Sequence, residues 1–195
     1  MGKVWLLALL ALSAALPAPA RDVHDQPKIL PARGSIQAAF APWDDVESLL
    51  ADTVASARTQ VLVQAYLLTS RKFAFSLIEA KQHGIDVRVL ADGRQHTETP
   101  GSLLELLQQQ GIPVWLETRY RNAHNKIVLI DADGGRRAKP VVITGSYNFT
   151  WGAQHVNAEN LIVIRDHPTL ARRFVSNWKR HLEQARPLHA YSGQQ

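Results

Sequence analysis

The sequence predicts an α/β fold, a mixed and largely parallel β-sheet flanked by helices on both faces. Three observations predict it. Short apolar runs alternate with amphipathic stretches from Ser35 to Leu116. Glycines stand where the amphipathic stretches end, at Gly84 and Gly111. After Lys126 the pattern changes to paired β-type runs around the turn signal Asp133-Gly134. Alternating strands and helices favour a layered sheet, and an Asp-Gly turn favours a hairpin.

The elements follow in order. Ile36 to Phe40 is a first strand. Trp43 to Ala57 places Val46, Leu49, Leu50 and Val54 on one helical face, with acids near its start. Gln60 to Leu67 is apolar and strand-like. Thr69 or Ser70 caps a helix that runs to Gln82 and stops at Gly84. Asp86 to Leu90 is a strand, Ser102 caps a helix through Gln110, and Ile112 to Leu116 is a strand. Lys126 to Ile130 and Val141 to Thr144 form the hairpin, and Asn160 to Ile164 is a further strand. Pro168 to Ala185 is the last helix, with Leu170, Phe174, Trp178 and Leu182 as a core-facing stripe.

Residues 1–20 have the form of a signal peptide. Lys3 precedes an apolar run from Val4 to Leu16, and Ala18-Pro19-Ala20 supplies small residues before a cut. The run is short for a bilayer span, which takes about 20 residues. Residues 21–34 read as a flexible leader, 35–187 as a single domain and 188–195 as a tail. The expectation is export to the periplasm or the exterior, without stable membrane insertion after cleavage. Removing Lys3 lowers the formal charge from +5 to +4, which suits a polyanionic partner without demanding one. The absence of cysteine excludes thiol catalysis, disulfides and thiolate metal sites.

Chemistry concentrates after Ala123. His124 and Lys126 stand two apart at the start of one strand, and Ser146 and Asn148 two apart just after another. If those strands are neighbours, an imidazole, an ammonium, a hydroxyl and an amide converge. The last three can hold phosphate oxygens and leave His124 to react. Lys126 with a solvated strand end would be the plainer explanation.

His124-x-Lys126-x4-Asp131 followed by Gly145-Ser146-x-Asn148 resembles the signature of the phospholipase D superfamily. The resemblance is greatest to its small secreted bacterial endonucleases, which carry one such motif per chain. Glu159-Asn160 follows at the spacing of that branch, and the likeness covers most of residues 35–185. One departure is the connection from Ala132 to Thr144, longer than the family's. It contains Arg136 and Arg137, and is either a basic finger beside the substrate or a solvated turn.

The resemblance implies a two-step displacement through a phosphohistidine, with no metal and no cofactor. One histidine attacks phosphorus; a second protonates the leaving oxygen and then activates water. The chain offers one suitable histidine, so the expected partner is a second copy, in a homodimer with two facing His124 side chains. The resemblance gives Glu159 the task of holding the His124 ring, and Asp131 a supporting place near the strand end. Arg119 and Arg121 are candidates for nucleic-acid contacts, and Tyr66, Tyr120, Tyr147, Phe149 and Trp151 are either base-stacking or core. The expected function is a non-specific endonuclease acting on DNA, with RNA left open. A phospholipid phosphodiesterase and a non-catalytic nucleic-acid binder are the alternatives.

Overall fold

The structure is a computed structural model that describes residues 27–132 and 139–188. The signal segment 1–20, Arg136, Arg137 and the tail from His189 lie outside the described residues. So do residues 21–26 of the leader.

Eight strands form one sheet in the order β1-β7-β6-β5-β2-β3-β4-β8. They are β1 (Ser35–Ala41), β2 (Gln60–Ala65), β3 (Asp86–Asp92), β4 (Val114–Glu117), β5 (Lys126–Ile130), β6 (Val141–Gly145), β7 (Glu159–Arg165) and β8 (Arg186–Pro187). Between them run α1 (Val46–Ala55), α2 (Arg71–Gln82), α3 (Gly93–Glu98), α4 (Leu104–Gln109), α5 (Trp151–His155) and α6 (Pro168–Leu182).

The sheet is mixed, and its parallel pairing is confined to β2–β3 and β3–β4. The remaining neighbours pair antiparallel. The helical crossovers of the first half account for the parallel part. The hairpin β5–β6 and the return strand β7 account for the rest. They insert beside β2 and push β1 out to the edge, where it pairs with β7 instead of β2.

Local chemistry sets the helices. In α1 the Asp45 carboxylate accepts the Ser48 N–H at 2.9 Å, and Val46, Leu50 and Val54 are fully buried at four-residue spacing. In α2 the Ser70 hydroxyl accepts the Phe73 N–H at 3.1 Å, and Gly84 beyond its end takes φ +83. Two elements differ from expectation. The α4 helix starts at Leu104 without a side-chain cap, because the Ser102 hydroxyl is engaged with His96 Nδ1 at 3.0 Å. The short α3, capped by Asp92, carries Arg94 and His96 in the stretch between the predicted strand ending at Leu90 and the helix predicted from Ser102, where no element was expected. Its glycine start and short length gave no periodic signal.

The strands alternate between two cores. Val61, Val63, Val87, Val89, Val128 and Ile143 face α1, α2 and α4. Leu62, Leu90, Leu129 and Val142 face α6, chiefly through its buried Ala171 and Trp178. The Trp178 indole also donates to the Val63 carbonyl at 3.0 Å. Further along α6, His181 Nδ1 is hydrogen-bonded to the buried Glu117 carboxylate at the end of β4. Leu170, Phe174 and Leu182 of the predicted stripe are only half-buried. The α6 side of the sheet is therefore covered over its middle and left bare over β1 and β7. There Ile36 is 68% exposed, Phe40 50% and Ile162 37%.

Candidate active site

One end of the sheet gathers the ends of β2, β3 and β6 with the starts of β5 and β7. Antiparallel pairing of Ile127 with Thr144 places Lys126 beside the Gly145 end of β6. Parallel order puts the last residues of β2 and β3 next to them. His124 lies before β5, and Ser146 and Asn148 lie after β6, so strand alternation does not aim these side chains. Chain reversal at the strand ends brings them together instead. Just before β5 the chain turns tightly, with Asn125 N–H donating to the Ala123 carbonyl at 2.9 Å.

Lys126 is 6% exposed despite its charge. Its ammonium stands 3.3 Å from the His124 carbonyl oxygen and 4.7 Å from the centroid of the Tyr66 ring. Burial pushes its pKa down from 10.5 to about 8, against the pull of the Glu159 carboxylate. His124 is exposed, and its ring meets the Tyr66 ring edge-on with centroids 4.3 Å apart. Partial desolvation holds its pKa below the ordinary 6.5, and the Lys126 charge pushes the same way, while Asp92 opposes both. A neutral imidazole beside a buried cation is equipped to attack an electrophile bearing negative charge.

Gly145 has a steric reason. A Cβ there would fall 2.2 Å from the Asn160 carbonyl oxygen, which accepts the N–H groups of Ser146 at 3.1 Å and Tyr147 at 3.2 Å. The Ser146 hydroxyl oxygen accepts from Asn160 twice, from the backbone N–H at 3.0 Å and from the amide Nδ2 at 3.3 Å. With both lone pairs occupied, its proton is free to be donated outward. Asn160, which the motif carries beside Glu159 without a role of its own, is thus a site residue. The Asn148 Oδ1 is buried without a hydrogen-bond partner.

Two motif members make no hydrogen bond to His124 or Lys126. Asp131 is at the opposite end of β5 from Lys126, about 16 Å away along the strand. Its carboxylate accepts the N–H groups of Arg58, Thr59 and Gln60 and the Thr59 hydroxyl. It cannot contact the group at His124 from there. Glu159 is at the site end, but its carboxylate accepts from Asn157 Nδ2 at 3.0 Å and makes no hydrogen bond to His124 within the chain. Its reach is electrostatic, onto Lys126.

Arg119 and Arg121 are exposed on the β4–β5 connection that leads into His124, and form no ion pair among the described residues. Tyr147 and Phe149 belong to the core at 1% exposure each. Trp151 is 61% exposed and stacks on His155 at 4.7 Å. Tyr120 is exposed beside His181. Among the described residues no group of three or more His, Cys, Asp or Glu could hold a metal ion, and no helix is long and apolar enough to cross a membrane.

Residues 50–184 match the family described as cardiolipin synthase, PLD-like domain. The chain is 35% identical over 146 residues to a phospholipase D of Rickettsia bellii, covering 75% of this chain and 68% of that one. It is 29% identical over 141 residues to the mitochondrial cardiolipin hydrolase of Danio rerio, covering 72% of this chain and 58% of that one. Among solved structures it is similar to Nuc from Salmonella typhimurium, a phospholipase D family member. The TM-score is 0.72 at 29% identity, over 80% of this chain and 98% of Nuc.

Proposed function

From its place in the phospholipase D-like family, to which this chain belongs as a phosphodiesterase, we propose that it is an exported endonuclease. It works as a homodimer and cleaves DNA through a phosphohistidine, with residues 35–187 acting as one domain. The observation that carries this is the meeting of His124, Lys126, Ser146 and Asn148 at one sheet end, with Arg119 and Arg121 exposed on the approach. Two exposed guanidinium groups beside the reacting histidine suit a polymer with phosphates on either side of the one being cut. The net positive charge acts in the same direction.

The reaction takes two displacements. The neutral His124 imidazole forms a bond to phosphorus as the bond to the leaving oxygen breaks. Lys126 offsets the charge building on the non-bridging oxygens, and the Ser146 hydroxyl and Asn148 amide donate to them. The leaving oxygen takes a proton from the imidazolium of a second His124. That imidazole then takes a proton from water, whose oxygen displaces the first imidazole and frees the phosphate ester. Both histidines return to their starting state and one water is consumed: its oxygen stays on phosphorus, and its proton replaces the one given to the leaving oxygen.

One chain has a single histidine at this site, so the second His124 comes from another copy. The bare apolar face of β1 and β7 supports such a pairing. It runs in register to the site, since Phe40 faces Asn160 and Ile162 faces Thr144. A twofold partner seated there would lie next to Ser146.

A second reading, a phospholipid phosphodiesterase, draws on Trp43, 84% exposed, and Trp151. Indoles exposed to this degree suit a lipid interface as well as stacking. The deciding measurement is digestion, in EDTA, of plasmid, single-stranded DNA, RNA and phospholipid vesicles by the mature protein and by His124→Ala. Nucleic-acid cleavage that disappears in the variant is expected. Cleavage of vesicles alone would establish the lipid reading, and nucleic-acid cleavage surviving in His124→Ala would overturn both.

A further inference from the structure

His124 stands exposed and outside any strand, yet a nucleophile must be held to within fractions of an ångström. Its side chain makes no hydrogen bond among the described residues, so its hold must come from packing and from its backbone. Two residues from the neighbouring parallel strands supply both. Tyr66, the first residue past β2, touches both reactive groups: its ring edge meets the His124 imidazole at 4.3 Å, and its ring face lies 4.7 Å from the Lys126 ammonium. Asp92, the last residue of β3, is 1% exposed and divides its carboxylate. Oδ1 accepts the Gln95 N–H at 2.7 Å, which starts α3, and Oδ2 accepts the Ala123 N–H at 2.6 Å, one residue before His124.

We propose that Tyr66 and Asp92 form a cradle for His124, Tyr66 packing on the ring and Asp92 anchoring the backbone that carries it, and that both are positioning residues for the nucleophile. The proposal rests on the reading of His124 as nucleophile given above. Neither residue is in the His-Lys or Ser-Asn motif.

The two residues act on the imidazole with opposite sign. The groups that act on this corner among the described residues are Tyr66 just past β2, Asp92 from β3, Lys126 at the start of β5, Glu159 from β7, which acts on Lys126, and the exposed Arg94 of α3, which acts on Tyr66 and Asp92. Tyr66 keeps water from one side of the ring and so favours the neutral form. Asp92 favours the imidazolium and counters Lys126. Removing the Tyr66 ring therefore raises the His124 midpoint, and neutralising Asp92 lowers it.

The experiment is an NMR titration of His124 in the intact protein, read beside the pH profile of kcat and the KM for DNA. Tyr66→Leu is expected to move the His124 midpoint up and lower kcat about 10-fold or more, with KM changed far less. Tyr66→Phe keeps the ring and should restore both. Asp92→Asn is expected to move the midpoint down and also lower kcat. Asp92→Glu, which keeps the charge but displaces the carboxylate, should lower kcat with the midpoint in place, and it serves if Asp92→Asn does not fold. Midpoints that stay put in Tyr66→Leu and Asp92→Asn, or a Tyr66→Phe variant as impaired as Tyr66→Leu, would overturn the cradle. The titration needs no substrate. Activity surviving in His124→Ala would sink the catalytic reading alone, and unmoved titrations the cradle alone.

Discussion

The Asp131 carboxylate accepts the Thr59 backbone N–H at 2.8 Å, and this joins the exit of β5 to the entry of β2. The same carboxylate takes the N–H groups of Arg58 and Gln60 and the Thr59 hydroxyl, while Asp131 itself sits at φ +50. Asp and Asn tolerate that backbone region better than most residues. Asp131→Asn keeps the backbone tolerance and loses the charge-assisted acceptors, so it is expected to cost about 2–3 kcal/mol. For a chain of this size that lowers Tm by roughly 4–12 °C. The folded variant should keep kcat within about twofold, because Asp131 lies about 16 Å along the strand from Lys126. Thermal melts and kcat measured below the transition check both halves. A large loss of kcat with no loss of Tm would place Asp131 in the chemistry.

Lys126 sets the alkaline limit. Its folded pKa is lowered from 10.5 to about 8 by burial, so the charge that offsets the phosphate is lost as pH rises through about 8. The pH profile of kcat/KM in EDTA is therefore expected to fall on the alkaline side with a midpoint near 8, and the limb should shift upward once a bound phosphate stabilises the ammonium in the complex. Lys126→Arg, which stays charged across this range, should flatten the limb while lowering the plateau. The stability sign is opposite: the unfolded chain binds this proton more tightly, so the contribution of this group to stability rises as pH climbs from about 8 to 10.5.

A shared site makes two demands on mixtures and on surfaces. If each cut needs two His124 side chains, wild type and His124→Ala refolded together in equal amounts should retain about a quarter of the activity of the same total of wild type, the random share of fully wild-type dimers. Activity of about a half would mean that each chain acts alone. The bare face supplies a second handle. A charge at Phe40 or Ile162, as in Phe40→Lys or Ile162→Glu, should yield a monomer by light scattering and abolish cleavage, while circular dichroism remains unchanged because both side chains are already exposed.

Much of this was legible in the sequence, for stated reasons. Val46, Leu50 and Val54 announced α1 through spacing, and the apolar runs at Lys126 and Val141 announced the hairpin that sets His124 and Lys126 beside Ser146 and Asn148. Pairing order was not legible, because a strand such as β1 carries no mark of which neighbour it will choose. The exposed Ile36 and Phe40 show that it lies at an edge only once the fold is known. Asp92 and Asn160 were hidden for another reason. They act on site residues through the backbone N–H of Ala123 and the hydroxyl of Ser146, contacts spanning 31 and 14 positions. Sequence separation also hid the partner of Asp131: the resemblance implied only a supporting place near the strand end, and Thr59 lies 72 positions away.

Asn148 is where stability and function pull apart. Its Oδ1 is buried with no partner among the described residues, a state that costs about 1–3 kcal/mol relative to a satisfied acceptor. Such a group is satisfied when a donor arrives later, here an N–H or O–H of the second chain, while the amide N–H groups remain to donate to the substrate phosphate. Asn148→Ala removes the stranded acceptor together with the amide donor. It is expected to leave Tm unchanged or raise it by a few degrees, and to lower kcat by about 10²-fold, the loss seen when one donor to a developing oxyanion is removed. Ser146→Ala should differ in kind. Its oxygen accepts from both nitrogens of Asn160, so its removal also frees two donors at the edge of β7 and should lower Tm as well as kcat. Melting and rate measurements on the two variants side by side separate an amide held ready for substrate from a hydroxyl that also ties two strands together. Equal losses of Tm in both would show that Asn148 is only a structural residue.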